Sequence, residues 1–209
     1  MADAAFIEAR TTEARLRDGT RILLRPVVPE DKQVLLDAFE RLSPESRYRR
    51  FMSPIEELTP EMLRQLTELD YMDSFAWVAL SMDEPGRPGA GVARYVRSPE
   101  DPAAAEAAVT VIDACQGRGL GTLLLQVLGA VALDNGIKRF RGYALEENRP
   151  IRELMLGMGA SVHHDSPGMI LVEVDLPAQA EELRDTSMYG ILRAVARGEG
   201  PRFRSPIEG

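Results

Sequence analysis

Three glycines within five residues, Gly117, Gly119 and Gly121, head the longest apolar stripe in the chain. The segment reads Gln116-Gly117-Arg118-Gly119-Leu120-Gly121-Thr122. Behind it Leu120, Leu123, Leu124, Val127, Leu128 and Val131 recur at three-four spacing, which predicts a helix over about 119–134. Ahead of it residues 106–112 read as a strand. A strand that ends in this segment and runs straight into a helix gathers main-chain amides at the helix N-terminus. There the aligned peptide dipoles favour an anion. The glycines let phosphate oxygens reach a backbone that a β-carbon would shield. Two familiar phosphate loops do not fit. A P-loop needs Lys and then Ser or Thr after its last glycine, but Gly121 is followed by Thr122 and Leu123. The dinucleotide fingerprint needs a further glycine where Thr122 or Leu124 stands.

The rest of the chain reads as short strands and helices in mixed order. Asp18-Gly19 is a hairpin turn between Leu16 and an apolar run from Ile22 to Val27. Pro29-Glu30-Asp31 opens a helix whose buried face is Val34, Leu35, Ala38, Phe39 and Leu42. Ser43-Pro44 and Thr59-Pro60 each pair a capping residue with proline at the first helical position, so each starts another helix. Strands are expected at 75–80, 91–96, 139–145 and 169–176, and a short helix at 150–157. Asn135-Gly136 stops the long helix in a left-handed cap. Residues 1–12 carry no sustained pattern and are expected to be partly ordered at best. This organisation gives an N-terminal segment 1–13, one α/β domain over 14–177, and a helical extension and tail over 178–209. Within that extension Met188, Ile191, Leu192 and Val195 mark a helix that packs on the domain, covers a groove or completes a homodimer.

Charge narrows the partners. The formal net charge of -8 opposes nonspecific binding to nucleic acid or anionic lipid, both of which need a basic surface. No apolar run reaches the roughly 20 residues that cross a bilayer, so no membrane partner is expected. Asp3, Glu8 and Glu13 do not suit a signal peptide, which makes the cytoplasm the expected compartment. The single cysteine, Cys115, has no disulfide partner within the chain and reads as a small semi-buried residue. No metal is expected: His163-His164 has no acidic or cysteine partner at ligand spacing.

The segment Gln116, two residues, Gly119, one residue, Gly121 resembles the signature of the GNAT superfamily of acyl-CoA N-acyltransferases. Its setting is similar too, with a strand before it, a long helix after it, then a strand and Glu147-Asn148-Arg149-Pro150. The resemblance covers roughly residues 14–177. Within the superfamily the chain looks most like the Pat-type protein lysine acetyltransferases, on the strength of three further segments. These are Arg25-Pro26, the stretch Leu42-Ser43-Pro44-Glu45-Ser46-Arg47-Tyr48 with Arg50-Phe51, and Val92-Ala93-Arg94-Tyr95. The resemblance implies a mixed, mostly antiparallel central sheet flanked by helices, with two strands splayed around the pantetheine arm of acetyl-CoA. Backbone groups of Val109 and Val111 would bond that arm, and the Val111 amide would face the thioester oxygen. Amides of Gln116, Gly117, Arg118, Gly119, Leu120, Gly121 and Thr122 would hold the pyrophosphate, and Asn148 would bond the arm at the mouth of the splay.

Amide formation sets its own demand. An alkylammonium with the ordinary lysine value of about 10.4 is neutral in only about one part in a few thousand at pH 7, so a base is needed. Glu106 is the only carboxylate between Ala103 and Ile112, and it matches the glutamate with this role in the Pat-type enzymes. The flanking alanines are expected to disfavour its charged form and raise its basicity. Asp113 is a weaker second candidate. The tyrosine that many superfamily members use to protonate the thiolate is replaced by Met155, leaving Tyr143 and Tyr95 as substitutes. Arg47, Arg49 and Arg50 read as a solvated helix face or as contacts to phosphate or an acidic partner. The expected activity is acetyl transfer to a primary amine, a protein lysine before a small-molecule amine. The rival is a module that senses acyl-CoA without catalysis.

Overall fold

The computed structural model describes residues 4–176. Within them an eight-stranded sheet is flanked by helices on both faces. The strands are β1 (Thr12–Arg15), β2 (Arg21–Pro26), β3 (Ser74–Ser81), β4 (Gly89–Arg97), β5 (Ala104–Val111), β6 (Arg139–Leu145), β7 (Ser161–Ser166) and β8 (Met169–Asp175). Their order across the sheet is β1-β2-β3-β4-β5-β6-β8-β7. Every neighbouring pair is antiparallel except β5 and β6, which run parallel. That parallel seam is short, pairing only Ala104, Ala105 and Glu106 with Arg139, Phe140 and Arg141. Beyond it the two strands continue without further pairing to each other, so the expected splay begins at Glu106.

The helices are α1 (Ala4–Ala9), α2 (Lys32–Glu40), α3 (Pro44–Phe51), α4 (Pro60–Thr67), α5 (Leu120–Asp134) and α6 (Arg149–Gly157). The caps seen in the sequence form as expected. Ser43 and Thr59 accept from the amides of Ser46 and Met62, each at 3.2 Å, and Pro44 and Pro60 follow them. Asp31 at the head of α2 is buried and held by Arg25 at 2.5 and 2.6 Å. Helix α5 packs against the sheet through Leu120 and Leu124, which lie over Gly91. Helices α2, α3 and α4 cover the opposite face, where Val92, Arg94, Ala108 and Thr110 point. A bulge at β4, with Leu80 opposite Gly89 and Ala79 opposite Gly91, lets these two glycines serve opposite faces.

The core is threaded by an aromatic row, Tyr71, Phe75, Tyr95 and Phe140, with successive centroids 5.9 to 6.1 Å apart. The row explains helix α1, which the sequence pattern does not announce. Phe6 extends it, 5.3 Å from Tyr71, and Arg10 lies over the Phe6 ring. Strand β7 is likewise absent from the sequence reading. Its residues are mostly exposed and only Val162 is apolar, so it owes its form to edge pairing with β8 across the Gly168 turn. A third difference bears on the site. The strand does not run into the glycine segment but ends at Val111, and a 3-10 turn, Asp113–Cys115, intervenes. The Met188 helix and the rest of the extension lie outside the described residues.

Candidate active site

The wedge between β5 and β6 opens into a cleft of about 530 Å3 that continues to the glycine turn and to α6. Its inner wall is main chain. The Ile112 amide donates to the Ala90 carbonyl at 3.0 Å, which fixes the alternation of the β4–β5 ladder. Thr110 and Ala108 therefore bond β4, while Ala107, Val109 and Val111 turn their amides and carbonyls toward β6. Since β6 has parted from β5 there, the wedge faces these groups. Two contacts support that direction. A β-carbon on Gly142 of β6 would stand 3.1 Å from the Ala107 carbonyl oxygen. The Val111 carbonyl accepts from Nε2 of Gln116 at 3.1 Å.

The turn that follows is clamped from outside. Asp113 accepts from the Ser43 amide (2.9 Å), the Ser43 hydroxyl (2.8 Å) and the Ser46 hydroxyl (2.9 Å). Burial alone would raise its pKa, but these hydrogen bonds outweigh burial and hold it below the ordinary carboxylate range. A carboxylate so engaged ties α3 to the turn and is not a second base. Gln116 adds a bond to the Ser46 hydroxyl at 3.2 Å. Gly117 and Gly119 then take left-handed angles, φ 72° and 88°, with open space where a β-carbon would point. Gly121 has ordinary helical geometry, and a β-carbon there would meet Leu154 at 3.5 Å.

The cleft gathers most of the residues singled out from sequence: Glu106, Val109, Val111, Gln116, Gly117, Gly119, Gly121, Thr122 and Asn148 all line it. Two side chains leave it. Arg118 turns to the β1–β2 hairpin, 3.1 Å from Asp18 and 3.3 Å from Thr20. Leu120 is buried beneath α5. Only their main-chain amides remain available to a ligand. The Asn148 carboxamide oxygen caps α6, accepting from the Ile151 amide at 3.4 Å.

Glu106 stands at the vertex of the wedge, and its setting differs from the expected apolar one. The side chain is exposed, while Ala104 and Ala105 are buried. Its charged neighbours include Arg50 of α3 and Arg94 of β4, both half-buried, and its register partner Arg141 on β6. Burial pushes the Arg50 guanidinium down to about 10, with the Arg94 charge adding to the fall and Glu106 opposing it. Burial lowers Arg94 as well, again against Glu106. Nothing in the sequence pattern places these arginines beside Glu106. The signal available was the Arg47-Tyr48-Arg49-Arg50-Phe51 run itself, whose members separate by face. Arg47 lies over Phe39 and bonds three carbonyls, and Arg49 pairs with Glu45 at 2.5 Å.

The candidate acids also separate. Tyr95 is fully buried, donates to the Met72 carbonyl at 3.0 Å and accepts from Asn135 at 2.7 Å. Burial pushes its phenol up to about 12, so Tyr95 is a core residue and not a proton donor for the cleft. Tyr143 lies on β6 and lines the cleft, as does the buried Met155. Cys115 also borders it, but burial raises its thiol above the ordinary value, which keeps it protonated at neutral pH.

A sheet that splays at one parallel seam, with outward-turned amides above a glycine turn, defines a class that sequence comparison names. Residues 21–161 match the family described as acetyltransferase (GNAT) domain, and the chain belongs to this family of enzymes. Among its relatives, acetyltransferase Pat of Mycolicibacterium smegmatis is 37% identical over 204 residues, covering 93% of this chain and 59% of that protein. The chain thus spans little more than half of that relative. An acetyltransferase of Pseudomonas aeruginosa is 36% identical over 155 residues, 74% of this chain and 83% of its own length. The crystal structure of the GNAT domain of S. lividans PAT superposes with a TM-score of 0.75 at 28% identity, over 84% of this chain and all of that one.

Proposed function

We propose that the cleft binds acetyl-CoA and passes its acetyl group to a primary amine, with a protein lysine side chain as the favoured acceptor. The observation that carries this reading is the pair of Val109 and Val111 amides turned into a wedge that leads to Gly117 and Gly119. An extended pantetheine arm would take the hydrogen bonds that β6 gives up. A diphosphate would meet the amides of the glycine turn. The resemblance to the Pat-type protein lysine acetyltransferases favours a lysine acceptor over a small amine.

The thioester supplies an activated acetyl group, and the chain's own residues supply the rest. Glu106 accepts the proton that the incoming ammonium must lose. The amine nitrogen bonds the thioester carbon, the C–S bond breaks, the sulfur leaves as thiolate, and the second proton of the nitrogen passes to solvent or to that sulfur. An outward-turned β5 amide faces the carbonyl oxygen as negative charge gathers on it, and that of Val109, about 10 Å along the strand from Glu106, lies nearer the carboxylate than that of Val111 at about 17 Å. No side-chain acid is required, because a thiol of ordinary value about 8.5 leaves readily near neutral pH. The protonated, buried Cys115 is a poor relay, which favours direct attack over an acyl-enzyme.

The test is Glu106→Gln. Calorimetry should show acetyl-CoA binding within about threefold of wild type, and amine-dependent thiol release should drop by about 100-fold or more, the span of a positioned base. Wild-type protein that takes up acetyl-CoA but releases no thiol with any amine or lysine peptide would favour the sensing module. No uptake of coenzyme A at all would remove both readings.

A further inference from the structure

Arg50 and Arg94 are set apart by lacking a carboxylate contact beside Glu106, although Arg47 and Arg152 also contact no carboxylate among the described residues. Arg21, Arg25, Arg41, Arg49, Arg97, Arg118, Arg139 and Arg141 each contact a carboxylate. Arg50 and Arg94 form no such ion pair among the described residues, although both are half-buried and adjacent. Arg50 has only the Phe51 ring at 5.2 Å. Arg94 gives one nitrogen to the Gln65 carbonyl at 3.2 Å, and its Nε is buried with no partner. A half-buried guanidinium without an acceptor is costly, and two side by side add mutual repulsion. The one carboxylate both sense is Glu106. Both line a narrow apolar cavity of about 70 Å3 behind β4 and β5, and Arg50 also borders the main cleft.

We infer that Arg50 and Arg94 bind a carboxylate of the acceptor, so that the preferred substrate carries an acid group near the amine it presents to Glu106. This rests on the acetyltransferase reading above and deepens it. Two guanidiniums beside one carboxylate match a ligand that brings one ammonium and one acid. The amine meets Glu106 and the acid completes the fork of nitrogens that the protein leaves open. The donor's diphosphate is a poor occupant for Arg94. That residue pairs with Ala108 across the ladder, near Glu106, whereas the glycine turn begins beyond Val111, about 17 Å along the strand from Glu106. The acid can belong to a free amino acid or to an aspartate near a target lysine.

Thiol release is measured with four acceptors at fixed acetyl-CoA. They are lysine, 1,5-diaminopentane, and a lysine peptide with aspartate two residues before the lysine or asparagine in its place. The proteins are wild type, Arg50→Gln, Arg94→Met and Arg94→Lys. Wild type should favour the acid member of at least one pair about 10-fold or more in kcat/KM. Arg50→Gln and Arg94→Met should cut the rate on that member roughly 10- to 100-fold, the range of a hydrogen bond to a charged group, with its acid-free counterpart little changed. Arg94→Lys should restore part of the preference. Preference confined to lysine identifies a free acid as the source, and preference confined to the peptide identifies a protein. Equal rates within both pairs overturn the proposal. So does a variant whose loss lies in acetyl-CoA affinity, read by calorimetry on the same proteins. Thiol release absent with every amine removes the underlying activity instead, while coenzyme A uptake by Arg94→Met reports that the variant is folded.

Discussion

Gly119 and Gly121 are equivalent in the motif and differ in the fold. Gly119 is held at φ 88°, where a β-carbon costs about 1–2 kcal/mol against the following carbonyl. Gly119→Ala should therefore lower unfolding free energy by about that amount in urea titration, with weaker coenzyme A uptake. Gly121 sits in helical geometry with ordinary room for a methyl beside Leu154. Gly121→Ala should stabilise the free protein by about 0.4–1 kcal/mol, by restricting the unfolded chain. It should also weaken coenzyme A uptake if the glycine serves a ligand's approach. Stability and affinity moving in opposite directions would separate a residue kept for binding from one kept for folding. The sequence identifies both glycines but not which constraint each answers, because backbone angle is not written in the motif.

At the scale of elements, what is local was legible. Ser43-Pro44 and Thr59-Pro60 started α3 and α4 through a cap and a proline within one turn of each other. What depends on distant partners was not. Helix α1 needs Tyr71 to receive Phe6, strand β7 needs β8, and the setting of Glu106 needs Arg50 and Arg94 from two other elements. Asp113 is the same lesson in the turn, where its three donors come from the start of α3. Its carboxyl is held below the ordinary range, so the stabilisation from this clamp is full above the unfolded carboxylate value. It fades as pH falls through the lower folded value. Asp113→Asn should therefore be less stable than wild type at pH 7, and the difference in melting temperature should shrink through the acid range below about pH 4. A gap that stays constant down to acid unfolding would show that the charge contributes nothing.

Across the whole molecule, the aromatic row joins α1 to β6 and places Tyr95 between the two halves of the sheet. Tyr95→Phe removes a donor to the Met72 carbonyl and an acceptor for Asn135 while keeping the ring. The expected loss is about 1–3 kcal/mol in unfolding free energy, with the pH profile of thiol release unchanged. A changed profile would return Tyr95 to the chemistry. The seam between the halves carries a broader consequence. With β5 and β6 joined over three residue pairs, the ladder stops halfway through the domain, and a small molecule laid in the gap acts as the absent strand segment. With the proposed acyl donor as that molecule, resistance to unfolding would become a function of metabolite supply, rising about 1.4 kcal/mol for each tenfold excess of ligand over its dissociation constant. A starved chain would be a chain with an unfinished sheet, and its turnover would follow the acyl-donor pool.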